Sequence, residues 1–356
     1  MEALKPTDTM DAVRSALLAR RSPMLHGDPG IGKTQMVWAI ASDLFAGVYG
    51  WTWASNQLRD PKGKVYPFGY PLLPWFKEMR TATMNPEDFG LPRFNAADNT
   101  MAWAMSDVLP TDERGGVFFL DEVNRGTESV INACFALVDR KIHGYVLPER
   151  WVPVAAVNDK DIGARKMSSA FLARFVPHLD CRTDLTDVCR VAAIREWHPA
   201  VLAFLRFRPD LLHAYNPKDR VSPNPRGWEH VQQIITTAPK PNVELALVAG
   251  VVGEGAAVEF VAFMRLYREL PSIDAILMNP KTAEVPSKPA TLWAVSAALA
   301  RRATEKNFER VLTYFDRIPL EYNVFGVKTA VGRDATLTKS CQGFTNWCIR
   351  HSDVAM

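Results

Sequence analysis

The sequence predicts an α/β fold, in which a parallel sheet is covered by helices on both faces and is followed by a helical region. Two segments, Val117–Leu120 and Val152–Val157, are continuous apolar runs, as expected of strands that are buried on both faces. Ser129–Asp139, which lies between them, has the spacing of a helix. Strands that alternate with helices over the first 180 residues favour a parallel sheet.

Local signals place the other elements of this first part. Thr7 or Thr9 can cap a helix that runs through residues 10–20 and ends before Pro23. Gln35–Leu44 shows helix spacing, with apolar residues on one face. The remaining strand-like segments are Pro23–His26, Gly50–Ala54 and Val176–Leu179.

After Thr183 the pattern changes to helices, and convincing strands become scarce. We therefore predict a boundary near residue 183, with an α/β domain at residues 1–183 and a helical region at residues 184–356. A loop rich in proline and lysine is expected at Pro271–Pro289. The predicted helical segments are Leu185–Trp197, Ala200–Arg206, Gly227–Ile235, Val243–Leu270, Thr291–Lys306 and Phe308–Phe315.

The composition weighs against several classes of protein. The net charge of +3 is too small to indicate a dedicated binder of nucleic acid or membrane surfaces. The five cysteines form no CxxC pair, which favours reduced thiols in a cytoplasmic protein. The N-terminus lacks the apolar core of a signal peptide, and Glu254 and Glu259 interrupt the most apolar stretch, which argues against a membrane span. The seven histidines show no metal-ligand spacing against the cysteines.

A glycine-rich loop is the strongest motif. It fits the pattern G-x-x-x-x-G-K-[ST] in full and stands between a strand-like segment and an amphipathic helix. Such glycines let backbone N–H groups wrap the phosphates of ATP at the N-terminus of a helix. We expect Lys33 to reach the β- and γ-phosphates and the Thr34 hydroxyl to hold Mg²⁺. The loop consists of Gly27, Asp28, Pro29, Gly30, Ile31, Gly32, Lys33 and Thr34.

Two carboxylates supply the second half of the predicted pocket. The apolar run Val117–Leu120 delivers Asp121 and Glu122 to the carboxyl end of a strand, where ligands bind in open parallel sheets. Asp121 is expected to hold the Mg²⁺ shell, and Glu122 to orient and deprotonate the attacking water. An apolar run that ends in two acids is weak evidence alone. Together with the glycine-rich loop it predicts an ATP-hydrolysing site.

On these motifs the sequence resembles the AAA+ superfamily and, within it, the MoxR-like ATPases. The resemblance implies a P-loop AAA+ core, followed by an α-helical lid and a C-terminal helical region. It is looser towards the C-terminus than over the motifs. The matching segments are GDPGIGKT at residues 27–34, LDEVNRG at 120–126, VPVAAVND at 152–159, SSAFLARF at 168–175 and SPNPRGWEHV at 222–231.

The resemblance also implies roles for three further residues. In such proteins a polar residue at the end of the fourth core strand senses the γ-phosphate and helps to place the water, and Asn158 occupies this position. An arginine before the last core strand reaches the nucleotide of the neighbouring subunit, and Arg174 fits, although it could instead form an ordinary salt bridge while Arg165 is the finger. A lid arginine contacts the phosphates, and Arg226 fits, with a plain helix-start arginine as the alternative. Asn158 could also be a turn residue, and the role of Arg125 is open.

An arginine that acts in trans implies assembly. If Arg174 serves the neighbouring subunit, a monomer lacks transition-state stabilisation that can reach about 10³-fold in rate or more. The resemblance implies a homo-oligomeric ring, most often a hexamer.

The segment from Asp43 to Gly116 is longer than a simple connection. It contains Trp51, Trp53, Trp75 and Trp103 and a run rich in proline and glycine at 59–71. The resemblance places an insertion around this part of the core. Two interpretations remain open: a pore or partner-contacting loop, and a satellite hydrophobic cluster that covers the sheet.

The resemblance implies a chaperone-like ATPase that remodels, matures or activates a protein partner. Relatives commonly work with a partner that bears a von Willebrand factor A domain, or in metal-cofactor insertion. One alternative is a DNA-directed AAA+ motor or loader, against which the near-neutral charge weighs. Another is a scaffold that binds nucleotide without hydrolysis, against which the intact Glu122 argues.

Overall fold

The computed structural model describes residues 2–54, 57–67, 69, 73–339 and 341–355 and divides into two compact units, residues 1–182 and 183–356. The strands of the first unit are β1 (Met24–His26), β2 (Thr52–Ala54), β3 (Gln57–Arg59), β4 (Val65–Tyr66), β5 (Phe76–Arg80), β6 (Gly90–Asn95), β7 (Thr100–Met105), β8 (Gly116–Asp121), β9 (Lys141–Ile142), β10 (Tyr145–Val146), β11 (Trp151–Val157) and β12 (His178–Asp180). Its α-helices are α1 (Pro6–Leu18), α2 (Lys33–Phe45), α3 (Glu128–Val138) and α4 (Ser169–Leu172).

Five strands form the central sheet, in the order β12-β1-β11-β8-β5. All four neighbouring pairs are parallel. The predicted fold class, an α/β core with a parallel sheet followed by a helical region, is confirmed. The order places β1, β11 and β8 in the middle of the sheet. Because the strands are parallel, the segments that follow them lie side by side at the carboxyl ends of the strands.

Both faces of the sheet are covered. Along β8 the side chains alternate, so that Val117 and Phe119 pack in the same core as residues of α1 and α2. Phe118 and Leu120 point to the other face and pack in a second core with residues of α3. This alternation explains the continuous apolar run, because each successive residue of a two-sided strand enters a core.

One core strand was missed from the sequence. Strand β5 pairs with β8, and Phe76 and Met79 are buried, but Lys77 and Glu78 interrupt the apolar pattern. It lies at the edge of the sheet. The predicted strand at Gly50–Ala54 exists as β2, but it belongs to a separate antiparallel sheet with β3 and β4.

The predicted cap of the first helix was wrong. Helix α1 begins at Pro6, with Lys5 as its N-cap residue, so Thr7 and Thr9 lie within the helix. Proline is favoured at the first helical position because its fixed φ suits the helix and its missing N–H is not needed there. The buried Thr9 hydroxyl donates to the Lys5 carbonyl oxygen at 3.0 Å.

The long segment between α2 and β8 has two parts. Trp75 is fully buried and packs edge-on against Trp51, with ring centroids 5.1 Å apart, so this part extends the core. The hairpin of β6 and β7 is different, because Phe94 is 67% exposed and Met101 is 65% exposed. Phe68, Tyr70 and Pro71, which belong to the run at 59–71, lie outside the described residues.

The described residues of the second unit form helices and the loops between them, without a strand. The predicted helix pair within Val243–Leu270 divides at Gly253, which has a φ of 84°. The predicted loop Pro271–Pro289 was partly wrong, because it contains a helix that is capped by Ser272. The α-helices are α5 (Leu185–Ile194), α6 (Pro199–Phe207), α7 (Pro225–Thr236), α8 (Pro241–Val252), α9 (Glu254–Arg268), α10 (Ile273–Met278), α11 (Pro289–Arg302), α12 (Phe308–Phe315), α13 (Leu320–Arg333), α14 (Gln342–Arg350) and α15 (Ser352–Ala355).

Within the described residues, every helix is too short or too polar to cross a membrane.

Candidate nucleotide site

The glycine-rich loop joins β1 to α2, as the motif predicts. Gly30 and Gly32 have φ values of 78° and 95°, a region that favours glycine because other residues carry a Cβ. Gly27 is close-packed, since a Cβ at this position would lie 2.9 Å from the Cys181 carbonyl oxygen. Lys33 begins α2, and its Nζ donates to the carbonyl oxygens of Gly27 at 2.5 Å and Asp28 at 3.0 Å. The lysine therefore folds back over its own loop.

The two predicted motifs are joined by a hydrogen bond. The Thr34 hydroxyl donates to Asp121 Oδ2 at 3.1 Å, although the two residues are 87 positions apart in the sequence. The other carboxylate oxygen, Oδ1, accepts from the Glu122 backbone N–H at 3.0 Å. A hydroxyl and a carboxylate side by side are the oxygen ligands that a phosphate-bound Mg²⁺ prefers.

Glu122 stands in an unusual backbone conformation. Its φ is 53°, in the left-handed region, which non-glycine residues adopt rarely and often at functional sites. The buried Thr81, directly after β5, donates from its hydroxyl to the Glu122 carbonyl oxygen at 2.7 Å and to that of Asp121 at 3.2 Å. The side chain of Glu122 is 42% exposed, and its Oε2 lies 3.7 Å from Arg125 Nη1. The carboxylate is therefore accessible, while its backbone is held.

Arg80 places a cation beside these acids. It pairs with Asp121 in the register of β5 and β8. Its pKa is raised, first by its hydrogen bond to Glu78, which lies 2.7 Å from Nε, and also by attraction to Asp121 and Glu122. Neither Arg80 nor Thr81 was predicted, because β5 itself was missed.

Asn158 directly follows β11. In the sheet, β11 lies between β1, which leads into the glycine-rich loop, and β8, which carries Asp121. The last paired residues are His26 and Val157, so Asn158 is the next residue along the chain. It is 7% exposed, and its Oδ1 is buried without a hydrogen-bond partner among the described residues. The Asn124 side chain donates from Nδ2 to the Asn158 carbonyl oxygen at 2.9 Å. A buried acceptor without a partner is costly, so a water or ligand donor is expected there.

Arg174 and Arg165, the two candidates for the arginine that reaches a neighbouring subunit's nucleotide, differ in their contacts. Arg174 donates from Nε to both carboxylate oxygens of Asp139 at 2.8 Å, and its guanidinium lies 3.7 Å from the centroid of the Phe135 ring. Within the single chain Arg174 thus forms the ordinary salt bridge that the sequence left open. The exposed side chain of Arg165 makes no hydrogen bond or ion pair within the described residues, and only its backbone N–H donates, to the Asn124 carbonyl oxygen at 2.7 Å.

Arg226 lies in the second unit, exposed in the first turn of α7. The preceding Asn224 caps this helix by accepting from the Gly227 N–H at 3.0 Å. A cation in the first turn gains nothing from the helix dipole, which favours anions at that end. The position alone therefore gives no local reason for an arginine.

A chain of polar side chains borders the glycine-rich loop. His26, the last residue of β1, lies with Nδ1 2.7 Å from Asp159 Oδ2 and with Nε2 2.9 Å from His178 Nδ1. His178 Nε2 lies 3.0 Å from the Leu172 carbonyl oxygen. In addition, Lys160 Nζ lies 3.0 Å from Asp28 Oδ2. The contact between Lys160 and Asp28 connects the loop to the segment that follows Asn158. The contact between His26 and His178 was not predicted from their spacing along the sequence.

The donor set fits a magnesium ion that is shared with phosphates. Mg²⁺ is usually held by one or two protein ligands together with phosphate oxygens and water. Thr34 and Asp121 supply such a pair. A cluster of three or more His, Cys, Asp or Glu side chains with metal-ligand geometry is absent from the described residues.

No protein-family model and no curated protein matches the chain. Among solved structures, a point mutant of RuvB from Thermotoga maritima shares 15% identity over 82% of this chain and 79% of its own, with a TM-score of 0.37. NtrX from Brucella abortus, in complex with ADP, shares 13% identity over 98% of this chain and 68% of its own, with a TM-score of 0.38. A candidate ATPase from Cytophaga hutchinsonii shares 13% identity over 92% of this chain and 81% of its own, with a TM-score of 0.33. Because these similarities are low, the fold class stands on the strand order and motif positions of the chain itself.

Proposed function

We propose that this protein is a P-loop ATPase of the AAA+ type, which binds Mg²⁺ and ATP between the glycine-rich loop and the end of β8 and hydrolyses the γ-phosphate. The observation that supports this most directly is the 3.1 Å hydrogen bond between Thr34 and Asp121. Glycine-rich loops are common, and so are strands that end in acids. Their convergence on one point is expected of a magnesium–triphosphate site.

Phosphate binding would use the backbone first. Helix α2 begins at Lys33, directly after the glycines of the loop, so the phosphates would meet N–H groups at the positive end of the helix. Lys33 would exchange the carbonyl oxygens of Gly27 and Asp28 for the β- and γ-phosphates, replacing two neutral acceptors by charged ones. The bound Mg²⁺, held by Thr34 and Asp121, would neutralise the charge that develops on the phosphate oxygens.

Hydrolysis would depend on positioning a water. Glu122 is accessible and stands next to Asp121, so its carboxylate is suited to orient the water and take its proton. The Oδ1 of Asn158, which has no hydrogen-bond partner among the described residues, is suited to accept a hydrogen bond from the same water. These two acceptors follow adjacent strands of the sheet, β8 and β11.

We further propose that Arg174 acts in trans, within a homo-oligomeric ring that is a hexamer. Arg174 is 34% exposed, and its partner Asp139 is 49% exposed. Exposed ion pairs contribute only about 0–1 kcal/mol, so exchange of Asp139 for a neighbour's γ-phosphate costs little. Arg165 is the alternative finger, and its accessible guanidinium supports it. Residues 1–183 would form the nucleotide-binding domain, and residues 184–356 the helical lid and C-terminal region, with Arg226 contacting the phosphates.

The broader role that we propose is that of a cytoplasmic MoxR-like, chaperone-like ATPase that remodels, matures or activates a protein client, with a partner that bears a von Willebrand factor A domain or in metal-cofactor insertion. The resemblance of the motifs supports this role. A DNA-directed motor would show ATPase stimulation by DNA with a steep dependence on salt. A non-hydrolysing scaffold would bind ATP without releasing phosphate.

Phosphate release and ATP binding, measured on the wild type and two variants, test the proposal. We expect Lys33→Ala to lose ATP binding, whereas Glu122→Gln should bind ATP and lower kcat by about 10³-fold or more because positioning of the water is lost. Lys62→Ala and Glu87→Gln, which change exposed residues of the same unit, serve as matched controls and should behave as the wild type. Wild-type turnover that persists in Lys33→Ala would contradict the assignment of this site.

A further inference from the structure

We propose that Asn124 is a positioning residue that holds Asn158 in place for ATP hydrolysis, an inference that rests on the proposed function. Asn124 is the second residue after Glu122 and is 2% exposed. It lies between Glu122 and Arg125 in the segment LDEVNRG, at residues 120–126. Its contacts, rather than any contact with the expected position of ATP, suggest what it does.

The side chain of Asn124 contacts both backbone polar groups of Asn158, its N–H and its carbonyl oxygen. Asn124 Nδ2 donates to the Asn158 carbonyl oxygen at 2.9 Å. Asn124 Oδ1 accepts from the Asn158 N–H at 3.5 Å. A carboxamide is the side-chain group that offers a donor and an acceptor in this arrangement. The pair therefore fixes the Asn158 backbone, while the Oδ1 of Asn158 remains without a partner among the described residues.

Asn124 is itself firmly held. It belongs to a short 3₁₀ turn, Val123–Arg125, which follows the left-handed Glu122. Val123 is fully buried in the core, on one side of Asn124 in the sequence. The Asn124 carbonyl oxygen accepts from the Arg165 N–H at 2.7 Å. The turn is thus anchored by a core residue and by a backbone hydrogen bond.

As a consequence, Asn124 connects the two residues that are proposed to position the attacking water, Glu122 and Asn158. Glu122 and Asn124 share one turn after β8, and Asn158 follows β11. Through the Asn124 side chain the catalytic carboxylate and the Asn158 amide are held at a fixed separation. A displacement of about 1 Å in such a group can lower a rate about 10²-fold. Asn124 would contribute to kcat through Asn158 and not through ATP affinity.

A double-mutant cycle with Asn124→Ala and Asn158→Ala tests this inference. We expect Asn124→Ala to lower kcat by about 10- to 100-fold, while the Kd for ATP stays close to that of the wild type. In the double variant the loss should equal that of Asn158→Ala alone, because Asn124 acts only through Asn158. Asn95→Ala, which changes an exposed asparagine of the same unit, is the matched control.

A near-isosteric variant separates positioning from folding. Asn124→Asp preserves the shape of the side chain but replaces the Nδ2 donor by an oxygen that faces the Asn158 carbonyl oxygen. It should lower kcat at least as much as Asn124→Ala, in protein whose thermal unfolding is checked first. The inference is overturned if both Asn124 variants turn over ATP at the wild-type rate while Asn158→Ala is impaired, or if the two alanine losses multiply. Absence of turnover in the wild type would instead overturn the proposed function together with this inference.

Discussion

The glycine-rich loop and the arginines at residues 165–174 both belong to the first unit, but they differ in where they find their partners. Thr34 of the loop meets Asp121 within the same chain. Arg174 pairs with the nearby Asp139, and the side chain of Arg165 contacts nothing charged among the described residues. Thr34 and Asp121 come together because β1 and β8 belong to the same sheet. Among the described residues, neither arginine forms a hydrogen bond or ion pair with the acids at the end of β8.

This difference predicts a large effect that depends on assembly. We expect Arg174→Ala to bind ATP but to lower kcat by about 10³-fold, because the transition state loses a positive charge from the neighbouring subunit. Mixed with Glu122→Gln, it should recover activity at interfaces that combine an intact Glu122 with an intact Arg174. Phosphate release by the mixture, compared with each variant alone, is the measurement.

Arg165→Ala is the matched control for that experiment. It should retain most of the wild-type turnover if Arg174 is the finger. If Arg165→Ala instead shows the loss and the recovery in mixtures, the finger is Arg165 and Arg174 serves as the salt bridge seen in the single chain. Failure of every mixture to recover, in complexes shown to contain both variants, would contradict action in trans by either residue.

The loop should also be sensitive to packing within the chain. Gly27→Ala would place a Cβ 2.7 Å from Ile31 Cδ1 and 2.9 Å from the Cys181 carbonyl oxygen. Overpacking of this kind costs about 1–3 kcal/mol of unfolding free energy. Gly47→Ala is the control, because a Cβ there meets no atom within 4 Å. Urea unfolding of the two variants is the test, and equal stabilities would contradict the close packing behind the loop.

The ion pair that holds Arg174 predicts a smaller effect. Asp139→Asn removes the charge that competes for the guanidinium, so assembly and turnover at low protein concentration should increase. The expected gain is at most about fivefold, since exposed pairs contribute about 0–1 kcal/mol. Asp107→Asn changes another exposed acid of the same unit and should have no effect. A loss of activity in Asp139→Asn would show that Asp139 supports the working position of Arg174.

Thiol reactivity gives the smallest signal. It tests whether Cys181, which packs against Gly27 of the glycine-rich loop, stays buried. Burial raises the pKa of Cys181 to about 11, so at pH 8 roughly one thiol in a thousand is the reactive thiolate. Burial likewise raises the pKa of Cys134 to about 12 and that of Cys189 above its ordinary value. Alkylation at pH 8, followed by mass spectrometry, should label the partly exposed Cys341 and Cys348 first. Early labelling of Cys181 would show that the loop opens.

The sequence predicted those features that depend on local pattern. The glycine-rich loop, the two acids and the strands on either side of them could be read directly, because a strand buried on both faces gives a continuous apolar run. Strand β5 gave no such signal, since Lys77 and Glu78 interrupt its apolar pattern. With β5 unrecognised, Thr81 and Arg80 could not be placed beside Glu122.

Contacts between distant segments were beyond the reach of sequence patterns. Asn124 and Asn158 are 34 positions apart, and His26 and His178 are 152 positions apart. Both pairs form because neighbouring strands of a parallel sheet come from distant parts of the chain. The strand order that creates them can be read only from the fold.

The central claim is that the loop and the acids form one magnesium-dependent ATP site. Calorimetric titration of the folded protein with ATP, with and without Mg²⁺, tests it most directly. We predict saturable binding at one site per chain, weakened without Mg²⁺ or by Asp121→Asn and abolished by Lys33→Ala. Absence of ATP binding to the well-folded wild type, or binding that Lys33→Ala leaves intact, would contradict the account.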